Sequence, residues 1–275
     1  MSERMWRRGG VVACVVLGGL LWASGASAQE GAGPKTDDQL VPDLQISLGV
    51  KGGLNGSWTT EIPENDPNSP VGDPDYFPLF GLGGSFGGVF ELRAFGWLGL
   101  ETGYYLSFDN GKGWNDITQA GSSTVITRIT EEQKTTSARI PLLLKFSTPK
   151  GTVRPALGLG VEFVRQSESS ITYDQEAKAG RVSDSDMEEL RRRNQIEPSN
   201  YVVAALSLGL EIDLGDVRIP IELRGMYNLN YSDDFASRVR TGQDDSNQTT
   251  LFYNGAYQGH FALFVGVIYD YSLFF

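Results

Sequence analysis

The sequence holds one cysteine, Cys14, and one histidine, His260. Cys14 lies in a segment that reads as an export signal, so the exported chain is expected to carry no thiol. That excludes disulfides from its stability and argues against a transition-metal centre built from Cys and His. Cations are scarce as well: 23 Lys and Arg stand against 34 Asp and Glu. Nucleic-acid binding needs basic side chains to displace counterions, and this chain is poor in them. Beyond the first residues no apolar run approaches the roughly 18 residues of a spanning helix. Neither a nucleophile elbow nor a phosphate-binding loop is recognised in the chain. No cofactor is expected, and no metal.

What is present begins with the export signal. Arg4, Arg7 and Arg8 precede an apolar run from Val11 to Leu21, and Ala26-Ser27-Ala28 follows with a small-x-small pattern. These features predict a secretory signal over residues 1–28, cleaved after Ala28. Val11-Val12-Ala13-Cys14 has the small and apolar residues of a lipoprotein signal, but the apolar run follows Cys14 instead of preceding it. Cleavage after Ala28 would leave 20 cations and 33 anions, a formal charge of −13. Residues 29–43 are polar and carry Pro34 and Pro42, which predicts a flexible leader.

From Leu44 to Phe275 apolar and polar residues alternate with a period of two, the mark of a strand with two different faces. Eight such segments lie near 44–51, 80–93, 98–108, 139–146, 153–163, 202–214, 217–231 and 260–275. Connections alternate between short ones, at Ala94-Phe95-Gly96, Thr148 to Gly151 and Gly215-Asp216, and long ones over 55–78, 109–137, 166–200 and 232–252. The pattern predicts an all-β fold, an eight-stranded antiparallel up-and-down transmembrane β-barrel with short periplasmic turns and long outer loops.

The polar rows suggest which face points inward. They contain seven cations (Lys51, Arg93, Arg139, Lys145, Arg154, Arg218, Arg224) and seven anions (Glu91, Glu101, Glu162, Glu211, Asp213, Glu222, Asp270). A balanced set suits a packed lumen, because a buried charge without a partner costs several kcal/mol. The apolar rows carry no charge in any of the eight segments. One Lys or Arg at a bilayer midplane would cost about 2–4 kcal/mol. A soluble lipocalin-like barrel would put the apolar rows inside and leave the charges in water.

Several motifs carry a family resemblance: Gly49-Val-Lys-Gly-Gly-Leu-Asn55, Gly99-Leu-Glu-Thr-Gly-Tyr-Tyr105, Arg139-Ile-Pro-Leu-Leu-Leu-Lys145 and Pro155-Ala-Leu-Gly-Leu-Gly160. Val267, Tyr269, Tyr271, Leu273 and the terminal Phe275 add an alternating C-terminal pattern. The chain resembles the porin-family outer-membrane β-barrel domain, the small eight-stranded OmpX/OmpA-like architecture, over Leu44 to Phe275. The resemblance implies outer-membrane residence in a Gram-negative type envelope. It makes the terminal pattern the signal read by the barrel-assembly machinery. Outer-membrane lipid and lipopolysaccharide become the implied surroundings, and no single activity follows.

Candidate chemistry is thin. His260 would have to serve as the base of a lipid-modifying enzyme, but Phe261-Ala262 follows where a His-x-Ser arrangement would be required. A lumen or rim histidine is the plainer reading. The outer loops are acidic, with Glu61, Glu64, Asp66, Asp73 and Asp75 in the first and Asp233, Asp234, Asp244 and Asp245 beside Arg238 and Arg240 in the fourth. Their spacing is not that of an EF-hand. Ser185 and Glu188 read as a capping box for a short helix ending in Arg191 to Arg193. The leading expectation is a non-enzymatic barrel with a side-chain-filled lumen, acting in membrane integrity or, through its loops, on an unidentified surface ligand. A small porin for passive solute diffusion is the second reading, and an outer-membrane lipid-modifying enzyme the third.

Overall fold

The computed structural model describes residues 42, 44–59, 79–118, 124–229, 231, 240–243 and 249–273. The predicted signal, nearly all of the leader, the first acidic loop and the acidic residues of the fourth loop lie outside the described residues, as does Phe275.

Eight antiparallel strands close into a barrel. They are β1 (Leu44–Thr59), β2 (Leu79–Ala94), β3 (Leu98–Thr118), β4 (Val125–Ser147), β5 (Val153–Ala177), β7 (Asn200–Asp213), β8 (Val217–Tyr227) and β11 (Gly259–Leu273). Between β5 and β7 lie a helix, α1 (Asp184–Arg193), and a short strand, β6 (Asn194–Glu197). Strands β9 (Arg240–Gln243) and β10 (Thr249–Asn254) join β6 in a separate three-stranded sheet. The ring runs β1-β11-β8-β7-β5-β4-β3-β2, and β1 closes it by pairing with both β2 and β11. Closure pairs the backbone groups that an open edge would leave exposed, which a lipid-facing sheet cannot tolerate.

The alternation decides which face meets lipid. Along β1, Leu48, Val50 and Leu54 are exposed while Gln45, Ser47, Lys51 and Asn55 are buried. The same inversion holds on β11, where Phe261, Leu263, Val265, Val267, Tyr269 and Tyr271 point out and His260, Phe264 and Asp270 point in. The outward row of β5 reads Val153, Pro155, Leu157, Leu159, Val161, Phe163 before its first charge, Arg165. That is about the ten residues a tilted strand needs to cross hydrocarbon. Aromatic pairs mark both rims of this belt: Trp97 stacks on Phe146 beside a short turn, and Phe261 stacks on Trp58 and Phe80 near the loop rim. An outside that is apolar and an inside that is ionic is the reverse of a soluble barrel.

Close strand approach depends on glycine at inward positions, Gly53 and Gly87 among them. A Cβ on Gly53 would strike the Leu263 backbone of β11, and one on Gly87 the Tyr104 backbone of β3. The short turns fall where expected, with Gly96 (φ 70°), Gly151 (φ 117°) and Gly215 (φ 95°) taking left-handed backbone.

The loop rim departs from the sequence reading. Strands β3, β4 and β5 run 21, 23 and 25 residues, so most of 109–137 and much of 166–200 is strand instead of loop. The apolar row stops near Phe108, Ala138 and Phe163, but the hydrogen-bonded ladder does not. Apart from the exposed Trp114, the extension's outward face is largely polar and lightly cross-linked, as in the pair Arg128–Asp116 at 2.7 Å. Helix α1 begins at Asp184, not after Ser185, and Met187 N donates to Ser183 O at 3.0 Å. Ser185 therefore lies in the first turn and cannot cap it. Met187 packs on Ile129 and Tyr173, and Arg191 donates to the Tyr173 carbonyl at 2.9 Å, fixing α1 to the extension.

Candidate functional site: the filled lumen and its outer closure

The structure places the fourteen lumen residues singled out from the sequence on inward rows, and most of them in one network. Nearest the short turns, Arg93 donates to Glu211 through both terminal nitrogens at 2.9 and 2.8 Å and to Glu91 through Nε at 2.7 Å. Arg218 reaches Glu211 at 2.8 Å and Glu91 and Asp270 at 3.2 Å. Arg154 lies 3.2 Å from Asp213, the most exposed member, whose side chain is 30% exposed.

Above this tier, Lys145 donates to Glu101 and Glu211 at 3.1 and 3.2 Å. Lys51 donates to Glu101 and Glu222, each at 2.7 Å. Arg224 donates to Glu222 at 2.7 Å and to Glu162 and Glu101 at 3.1 Å, and its guanidinium lies 5.1 Å from the Phe264 ring centre. Asp213 and Asp270 each meet one cation among the described residues, Arg154 and Arg218, and every other charge of the two tiers has two or more partners of opposite sign. That is the condition under which buried ions are tolerated, since losing one partner strands the others.

A third tier, nearer the loop rim, contains residues the sequence reading did not select. Asp109 was expected in an outer loop. Because β3 continues past Phe108, Asp109 follows Ser107 on the inward row and accepts from Arg139 at 2.9 Å and from Ser57 at 2.6 Å. Asn55 also donates to Asp109 and accepts from Ser85 at 3.0 Å. The missed signal was the continued alternation Ser107, Asp109, Gly111 after the apolar row ends.

His260 completes this tier. Its Nδ1 lies 2.8 Å from Ser57 Oγ and 3.0 Å from Arg139 Nη2, and its Nε2 lies 2.9 Å from Tyr201 OH. A guanidinium only donates, so Nδ1 is the accepting nitrogen and Nε2 carries the proton toward Tyr201. In a hydrolytic triad the carboxylate holds the histidine's far nitrogen. Here Asp109 takes the Ser57 side, and the far nitrogen faces a neutral phenol. Gly83-Gly84-Ser85-Phe86-Gly87 does have the Gly-x-Ser-x-Gly spacing of a nucleophile elbow. Yet Ser85 stands within β2 and donates to Asn55 and Ser107, each at 3.0 Å, with no strand-to-helix turn to present it.

Over His260 the chain itself crosses the mouth. Gly255, Ala256 and Tyr257, between β10 and β11, are buried, and the Tyr257 ring meets His260 edge-on at 5.4 Å. Gln166 and Gln133 donate their side-chain amides to the Gly255 carbonyl at 2.6 and 3.1 Å. Gly255 N donates to Glu197 O at 2.9 Å and Gln258 N to Trp58 O at 3.1 Å. These bonds hold a backbone segment inside the barrel with its polar groups satisfied.

Beyond the belt, Glu131 of β4 is buried beside Tyr173 and α1's packing cluster. No Lys or Arg pairs with it among the described residues. Burial pushes its carboxyl up to about 8, against a smaller lowering by the Tyr173 hydroxyl.

No family model matches the chain, and no curated protein does. Among solved structures it is similar to a major outer membrane protein from Thermus thermophilus, at 15% identity over 83% of this chain and 99% of that one, with a TM-score of 0.41. It is similar to the outer membrane protein OprG from Pseudomonas aeruginosa, at 11% identity over 84% and 97%, with a TM-score of 0.35. Neisserial surface protein A stands at 12% identity over 83% and 97%, with a TM-score of 0.33. The chain's own geometry, a closed eight-stranded antiparallel ring with a charge-free belt outside and ion pairs inside, is that of a small OmpX/OmpA-like outer-membrane barrel.

Proposed function

We propose that this chain is an integral outer-membrane barrel that carries no steady solute flow and acts at the outer face, in membrane integrity or surface interaction. The observation that carries this reading is the bonding of residues from opposite walls across the bore. Arg93 on β2 meets Glu211 on β7, and Arg224 on β8 meets Glu101 on β3. A small porin needs a continuous water path, and these pairs stand in it. An enzyme needs a reachable nucleophile and base, and Ser57, His260 and Asp109 are buried beneath the Gly255–Tyr257 segment. The structure built outside the belt is the β3–β4–β5 extension with α1 and the β6-β10-β9 sheet.

The test is fractionation with surface proteolysis. The reading expects the full-length protein in the outer-membrane fraction, migrating faster unheated than heated. Trypsin added to intact cells should cut at exposed extension sites such as Lys134, Lys178 or Arg181 and leave the belt strands whole. A protein extracted without detergent, or cut in intact cells at the short turns instead, would contradict it.

A further inference from the structure

One feature of the outer wall plays no part in filling the lumen. Near the loop rim the outward face of β4, β5 and β7 opens into a groove of about 410 Å³. This lies within the roughly 300–1,000 Å³ of small-molecule sites. Its walls include Tyr104, Ile140, Phe163 and Val202, all about half-exposed on the lipid side.

The groove arises from strand pairing. The β4–β5 register shifts between Thr136 and Ser137, and β5–β7 pairing ends at Arg165 opposite Asn200. The register shift bends the ladder at that level without unpairing it, and the small Ala138, paired with Arg165, leaves the space unfilled. Arg165 and Asn200 stand at the groove's upper end, both exposed. Arg165 is the first charge above six apolar residues of the outward β5 row, which sets its guanidinium at the boundary between hydrocarbon and headgroups. It makes no ion pair among the described residues.

From this we infer a lipid site: the groove seats one acyl chain of a phosphorylated outer-leaflet lipid, whose phosphate is held by the Arg165 guanidinium and the Asn200 side-chain amide. An apolar slot alone would accept any hydrocarbon. A donor-only cation at its head, in a chain as acidic as this one, selects an amphiphile with an anionic headgroup. The inference rests on the outer-membrane reading and adds to it a defined lipid partner.

The test uses the full-length barrel in phosphatidylcholine nanodiscs doped with bisphosphorylated lipid A, with retained lipid counted by native mass spectrometry. Wild type should hold one lipid A molecule. Arg165→Gln should cut retention at least fivefold, and Ala138→Phe, which fills the slot and leaves the charge, should do the same. Lipid A stripped of its phosphates should be retained at least fivefold less than the intact lipid. Equal retention by Arg165→Gln and wild type, or equal retention of the stripped lipid, would overturn the proposal and leave an unselective apolar groove. The heated and unheated gel mobilities of each variant separate this outcome from failure of the barrel reading. A protein that binds no lipid but still shifts on heating contradicts the lipid site alone.

Discussion

Arg93 and Glu211 form a two-point ion pair, 2.9 and 2.8 Å long, between strands four steps apart in either direction around the ring. The pair therefore crosses the bore instead of running along its wall. Both side chains are almost fully buried, and each has further partners, Glu91 for the arginine and Lys145 and Arg218 for the carboxylate.

Arg93→Ala should lower stability by about 3–5 kcal/mol, the cost of stranding a buried partner charge. Arg93→Lys should lose less but not recover wild type, because an ammonium cannot reproduce the two-point geometry. The measurement is the denaturant midpoint at which the fast-migrating unheated form disappears. A wild-type midpoint for Arg93→Ala would show that the pair does not hold the walls together.

Much of this network was legible in sequence because strand periodicity assigns faces independently of loop length. The seven cations and seven anions followed from face alone. What was not legible was where β3, β4 and β5 stop. Apolar alternation bounds these segments at Phe108, Arg139 and Phe163, but backbone pairing does not need an apolar outer face. Asp109 and Gln133, which lie beyond those ends, were assigned to loops for that reason. The Gly255–Tyr257 closure was hidden for a different one: a short buried crossing held by side-chain amides has no periodicity to read.

The closure depends on the two amides that converge on the Gly255 carbonyl. Removing both, in Gln133→Ala/Gln166→Ala, should cost about 1–3 kcal/mol locally, from two lost hydrogen bonds at about 0.5–1.5 kcal/mol each. Backbone amides of residues 255–258 should then exchange with deuterium several-fold faster, while β1 and β11 amides in the belt stay protected. Unchanged exchange would mean that packing of Tyr257 alone holds the segment.

Glu131 gives the outer extension a pH dependence of definite sign. Its carboxyl rises from 4.5 to about 8 in the folded chain because burial disfavours the anion. The folded state then holds more protons than the unfolded state between those values. Stability is full below 4.5 and falls as pH rises toward 8. The extension should unfold at lower denaturant at about pH 8.5 than at about pH 5, and Glu131→Gln should flatten that difference. A Glu131→Gln variant with the wild-type slope would place the titration elsewhere.

His260→Ala removes one acceptor of Arg139 and a partner of Tyr201. A destabilisation of about 1–3 kcal/mol is expected from the buried groups left unsatisfied. Lipid A recovered from cells carrying this variant should be chemically identical to that from wild type. A change in its acylation would assign the histidine a catalytic role.

The central claim is that side chains and the Gly255–Tyr257 segment fill the bore, so that activity resides outside it. Planar-bilayer recording of the purified full-length barrel tests this most directly. Wild type should show no large steady conductance, and Arg93→Ala/Arg224→Ala, which removes the ion pairs Arg93–Glu211 and Arg224–Glu101 between opposite walls, should raise current above the wild-type level. A large, steady conductance from wild type would contradict the account.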